Sequence, residues 1–128
     1  MEPGIVFGWE RLPEYIAAQQ YGRCLGRIFG SLPRRVRRRV MQPMTGAALM
    51  IAEGIAGFNA ELPPETLSDR ERELFRSRAL EGVRLSREAL EVVRRVRRAS
   101  RPDLLVAAEL LDRIEGSVRV ADAPPSWL

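Results

Sequence analysis

Apolar residues in this chain recur at steps of three and four, and helix-breaking residues cut that rhythm into four pieces. Val36, Val40, Met44, Ala47, Ile51, Ile55 and Phe58 follow the spacing most plainly. It puts them on one face of an α-helix and does not fit the period-two alternation of a half-buried strand. Pro13 suits the first turn of a preceding helix, expected over about 13–30, with Ile16, Tyr21, Cys24, Leu25, Ile28 and Phe29 on one side. Ser31-Leu32-Pro33 breaks the chain before the second helix, expected over about 33–59, and Pro43 predicts a kink or local break inside it. Residues 59–67 hold Pro63-Pro64 and read as a loop.

Ser68 with Glu71 makes a capping box for a third helix, expected over about 69–99. Its face is Phe75, Ala79, Gly82, Val83, Ser86, Ala89, Leu90, Val93 and Val96. Ser100 and Asp103 cap a fourth helix with Pro102 in its first turn and Leu104, Leu105, Ala108, Leu111, Ile114 and Val118 on its face. The expected fold is all-α: an up-down-up-down four-helix bundle over 13–119, with an extended lead-in at 1–12 and a tail at 120–128. Gly22, Gly26 and Gly30, one turn apart, predict a strip where another backbone comes close, since each Gly costs a helix about 1 kcal/mol relative to Ala.

The apolar arcs are wider than one core needs. Leu49, Met50 and Ala56 lie off the main stripe of the second helix, and Leu74, Leu85 and Val92 widen the arc of the third. A helix that is apolar on several sides in so small a domain predicts a second subunit. Glu53, flanked by these residues, is expected either to accept hydrogen bonds at that subunit interface, with an Arg of the neighbour as one candidate donor, or to be a hydrated surface carboxylate.

Composition removes several functional classes. The chain has 128 residues, 45% of them hydrophobic and 30% charged, which is globular rather than disordered. All 21 basic residues are Arg, there is no His, and the lone Cys24 cannot form an internal disulfide. A zinc or iron site would lack its usual ligands, so no metal or other cofactor is expected. Catalysis is not expected either: there is no His or Lys, no glycine-rich phosphate loop after a strand, and no candidate base beside Cys24. The most apolar stretch, Met44 to Phe58, is too short to span a bilayer, and no export leader opens the chain, so a cytoplasmic location without membrane contact is expected.

The charge is clustered. The pentapeptide Arg-Arg-Val-Arg-Arg occurs at 34–38 and again at 94–98. Seven Arg and no acid lie between Arg23 and Arg39, and five Arg and no acid between Arg94 and Arg101. In an antiparallel bundle these segments meet at one pole. The formal net charge is +4 and the pI about 10.4, which favours polyanionic partners. Arg34, Arg35, Arg37, Arg38, Arg39, Arg94, Arg95, Arg97, Arg98 and Arg101 are the expected contacts to nucleic-acid phosphates, with Arg23 and Arg27 behind them. Guanidinium groups suit such contacts because they stay charged and form paired hydrogen bonds. Two readings compete with it: a solvated Arg-rich end that keeps the protein soluble, and a scaffold or shell component whose Arg pole docks an acidic protein.

Two tetrapeptides, Ile51-Ala52-Glu53-Gly54 and Ala79-Leu80-Glu81-Gly82, together make the chain resemble the small four-helix-bundle proteins found in intervening sequences of bacterial large-subunit ribosomal RNA. Leu32-Pro33-Arg34-Arg35-Val36-Arg37 is similar to the start of helix two in a sister group, the accessory variability determinant proteins of diversity-generating retroelements. The resemblance covers roughly residues 12–118. Ala48-Leu49-Met50 departs from the Pro-x-Asn that usually precedes the first tetrapeptide, and Met41-Gln42 from the paired basic residues of mid-helix. The resemblance implies a ring-like homopentamer. In the retroelement group it also implies nucleic-acid binding, with RNA the expected ligand here, and a reverse transcriptase as partner.

Overall fold

The computed structural model describes residues 12–59 and 68–120 and contains four helices: α1 (Pro13–Ser31), α2 (Arg34–Phe58), α3 (Asp69–Arg94) and α4 (Arg101–Val120). No strand occurs among the described residues. Residues 1–11 of the expected lead-in, residues 60–67 of the expected loop and residues 121–128 of the expected tail lie outside the described residues. Each helix packs on its neighbour in sequence and α1 packs on α4, an arrangement compatible with the up-down-up-down bundle. No described helix is long and apolar enough to cross a membrane.

Most of the expected faces form the core. Tyr21, Cys24, Leu25, Ile28 and Phe29 from α1 are buried with Val40, Met44, Ala47, Ile51 and Ile55 from α2. α3 adds Ala79, Val83, Leu90 and Val93, and α4 adds Leu104, Ala107, Leu110, Leu111, Ile114 and Val118. Three positions differ. Ile16 is 43% exposed and Leu105 is 68% exposed, while Ala108 also faces solvent. On α4 the buried stripe instead runs through Ala107 and Leu110, so the helix is turned away from the phase that Leu105 and Ala108 suggest. Tyr21 and Ser86 bring two hydroxyls into the interior, and neither completes a hydrogen bond of ordinary geometry. Burial pushes the Tyr21 phenol up to about 12, against a smaller lowering by the neighbouring Ser86 hydroxyl.

α2 and α3 share the most extensive contact, and three glycines stand where they touch, Gly57 against the Phe75 ring and Gly54 and Gly82 against backbone. A Cβ at Gly54 would stand 2.5 Å from the Phe75 carbonyl oxygen and 2.6 Å from the Ala79 nitrogen. A Cβ at Gly82 would stand 2.8 Å from the Ala47 carbonyl oxygen and 2.9 Å from the Ile51 nitrogen. The contact is reciprocal: the first residue of each tetrapeptide, Ile51 or Ala79, meets the glycine that ends the other. By contrast, nothing lies within 4 Å of a Cβ at Gly22, Gly26 or Gly30. That strip faces away from the bundle, so the expected close approach does not occur there within the chain. Those glycines lie on the side of α1 opposite Cys24 and Ile28, whereas Gly54 and Gly82 lie within the apolar stripes of their own helices.

Two further positions bear on the expected helix bounds. Pro43 lies inside α2 without ending it, so of the expected kink or local break the break does not occur. Pro43 is exposed, so the carbonyl that loses its helical partner one turn earlier can be hydrated. α3 ends at Arg94 rather than near residue 99. From the last turn of α3 onward, Leu90, Val93, Val96 and Ala99 turn inward at steps of three, and beyond Arg94 the N–H groups of Arg95, Val96 and Ala99 donate to the carbonyls of Val92, Val93 and Val96. Three-residue steps are the period of tightened, 3₁₀-type turns, which carry Ala99 into the core where a continuing α-helix would swing it away.

Candidate functional site

The loop between α1 and α2 and the loop between α3 and α4 form one corner of the bundle. The backbone N–H of Ser100 donates to the Ser31 hydroxyl at 3.0 Å, and Ser31 in turn donates to the Ile28 carbonyl at 2.7 Å. The Ser100 hydroxyl donates to the Asp103 carboxylate at 2.7 Å, and Arg27 donates its Nε to the other carboxylate oxygen at 2.9 Å. These two bonds hold the Asp103 carboxyl below the usual carboxylate range, the Ser100 bond contributing most. Leu32 and Ala99, one from each loop, are buried beneath. The sequence showed Ser100 and Asp103 only as a helix cap. Their link to α1 went unread because neither Ser31 nor Arg27 carries a local signal that names a partner so distant in the chain.

This pin brings the two pentapeptides to the same pole. Their central residues, Val36 and Val96, are half-buried and pack on the core. The flanking Arg34, Arg35, Arg38, Arg39, Arg94, Arg95, Arg97 and Arg98 are exposed, and Arg37 is half-buried. One five-residue pattern thus serves two conformations, the first turn of α2 and the turns that follow α3. In both, the Val anchors and the Arg side chains are left outside.

Neutralisation separates these Arg residues from the others. Arg78 pairs with Glu53 at 2.9 Å, Arg84 with Glu81 and Glu88, Arg87 with Asp112 and Glu115, and Arg119 with Glu115. At the pole Arg94 pairs with Glu91 at 2.9 Å. Arg101 donates to the carbonyls of Arg94 and Val96, where α3 leaves acceptors without helical partners. Arg34, Arg35, Arg37, Arg38, Arg39, Arg95, Arg97 and Arg98 have no acidic partner among the described residues. The N-terminus of α2 adds to this excess. Its N-cap, Pro33, makes no side-chain capping bond, no acid stands in the first turn, and the helix dipole opposes the Arg residues there.

Glu53 is exposed and accepts a hydrogen bond from Arg78 of its own chain at 2.9 Å. Among the expected interface positions, Leu49, Leu74 and Val92 are 56%, 62% and 56% exposed, while Met50, Ala56 and Leu85 are half-buried. Cys24 is fully buried, and its thiol donates to the Asp103 carbonyl at 3.1 Å. Burial pushes that thiol up, with Arg27 opposing, so a thiolate is disfavoured where Arg neighbours alone would favour one.

The chain matches no protein-family model, no curated protein and no solved structure.

Proposed function

We propose that this protein is a non-catalytic, self-associating accessory protein that binds the phosphates of RNA or DNA with its Arg pole. One observation carries the reading: among the described residues, Arg34, Arg35, Arg37, Arg38, Arg95, Arg97 and Arg98 of the two pentapeptides share one pinned corner without an acidic partner, whereas Arg78, Arg84, Arg87 and Arg94 of α3 each have one. Unpaired guanidinium groups crowded together repel one another, and a bound polyanion relieves that repulsion while releasing counterions. Few aromatic residues accompany these Arg clusters in the sequence, so contact is to the backbone and sequence preference is weak. Burial of Cys24 and the upward shift of its thiol support a role without catalysis.

Leu49, Met50, Glu53, Ala56, Leu74, Leu85 and Val92 form the self-association surface in this reading. The outward exposure of three large apolar side chains supports it. A ring of five, an association with a reverse transcriptase and a cytoplasmic setting rest on the sequence resemblance and composition. A second reading has its own observation. A groove of about 390 Å³ between α3 and α4 is lined by Leu90, Leu104, Leu105 and Ala108 and flanked by Arg94 and Arg101. That groove suits a protein partner with apolar and acidic residues.

An electrophoretic shift with random-sequence RNA, run beside an acidic polypeptide of similar charge, tests the two readings. RNA binding at moderate salt is expected. Retention of the polypeptide with no RNA shift would overturn the proposal. Light-scattering mass is expected to exceed that of one chain and to fall towards it in Leu49→Glu or Leu74→Glu.

A further inference from the structure

The cationic surface continues past the pole. Between α1 and α4 lies a groove of about 400 Å³ whose walls carry Arg23 and Arg27 on one side and Arg113 on the other. Arg23 and Arg113 are exposed and have no acidic partner among the described residues. Arg27 gives its Nε to Asp103 and keeps its terminal amino groups for another acceptor. Glu109 is the one acid in these walls. It stands one turn before Arg113, the order that favours a helical ion pair, yet the two do not pair. Along α3 the same spacings are used: Arg84 takes Glu81 and Glu88. The α1–α4 groove therefore departs from the neutralised pattern in the same way as the pole.

We propose that this groove is the path of a single nucleic-acid strand leaving the pole, with Arg27, Arg23 and Arg113 as successive phosphate contacts. This rests on reading the pole as a nucleic-acid interface. On α1, Arg27 lies one turn from Ser31 at the corner, and Arg23 lies one turn further on. On α4, Arg113 follows Arg101 by twelve residues, about 18 Å at 1.5 Å per residue. That distance accommodates about five nucleotides at the stacked spacing of about 3.4 Å. Arg23 and Arg27 on one wall and Arg113 on the other border a single seam, which matches one phosphate backbone lying along it rather than the two of a duplex. Val106, 40% exposed, gives the bases an apolar wall, and the Gln20 amide offers both donor and acceptor to a base edge. Both contacts tolerate any base, consistent with weak sequence preference.

Fluorescence anisotropy with labelled oligouridylates of about 6 and about 18 nucleotides tests the path, the shorter filling the pole and the longer reaching the groove. The double variant Arg23→Gln/Arg113→Gln removes two charges from exposed positions, and its circular dichroism is expected to match the wild type. It should bind the short oligomer as the wild type does and the long one about tenfold more weakly. Its salt slope for the long oligomer should fall by about 1.4, two phosphates at about 0.7 each. Unchanged affinity for the long oligomer would overturn the groove and leave the pole standing. A wild type that binds neither length would overturn the reading of the pole itself. A duplex of the same length that binds as tightly, and loses as much in the variant, would overturn the single-strand assignment.

Discussion

The α2–α3 seam and the Arg pole are built by opposite rules. At the seam two helices come together over Gly54 and Gly82, and outside it Glu53 and Arg78 neutralise each other. At the pole the packing is also complete, because Val36, Val96, Leu32 and Ala99 are anchored and Ser31 is tied to Ser100. Its charge, however, is left uncompensated. Shape is satisfied in both places and electrostatics in only one. Local stability therefore explains the seam entirely and the pole only in part, and the remainder at the pole is available for binding.

The largest way to break this comparison is at the seam. Gly54→Leu drives a side chain into the backbone of Phe75 and Ala79, which cannot swing aside as a flexible side-chain end would. It should cost about 3 kcal/mol or more in urea denaturation, at the upper end of overpacking effects. A loss below about 1 kcal/mol would mean that the helices are not this close.

Alkaline titration probes the core that joins the two regions. The Tyr21 phenol ionises near 10 in the unfolded chain and near 12 in the folded one. The folded state therefore holds its proton longer, and stability is present below pH 10 and lost as pH rises to about 12. Two pKa units correspond to about 2–3 kcal/mol. Tyr21→Phe should flatten that decline in a pH series of melting curves.

Smaller substitutions sharpen the contrast between glycines and between helix ends. Gly26→Ala enters open space in a helix interior and should stabilise by about 0.5–1 kcal/mol. A loss instead would show that another subunit covers α1. Arg34→Glu at the N-terminus of α2 should raise stability by about 0.3–1 kcal/mol while weakening nucleic-acid binding, since the dipole favours an acid there. A melting temperature that falls in this variant would mean that Arg34 has a structural role.

Much of the fold was legible because it is local. The three- and four-residue rhythm located all four helices, Ser68 and Glu71 form the expected capping box, and the antiparallel order brought the two pentapeptides to one corner. What was misread depended on phase and distance. Three glycines in register looked like a packing strip, and no backbone of the same chain approaches them. Gly54 and Gly82 gave no such repeat: Gly82 is the one glycine of α3, and Gly54 shares α2 with Gly46 and Gly57 at steps of eight and three. The tetrapeptides behind the resemblance prove to be the parts of the α2–α3 crossing, so they speak to packing rather than to ligand. The excess charge at the pole was legible as composition. Which Arg residues are spent on Glu91, Asp103 or the carbonyls of α3 was not, because those partners are assigned only once the corner has closed.

The affinity for random-sequence RNA, measured from 50 to 200 mM salt in the wild type and in Arg95→Glu/Arg97→Glu/Arg98→Glu, tests the uncompensated pole most directly. With about six phosphates engaged, wild-type affinity should fall by about a thousandfold across that range, and the variant should bind weakly throughout with a shallower slope. Wild-type affinity that is flat in salt, or a variant that binds as the wild type does, would contradict the account.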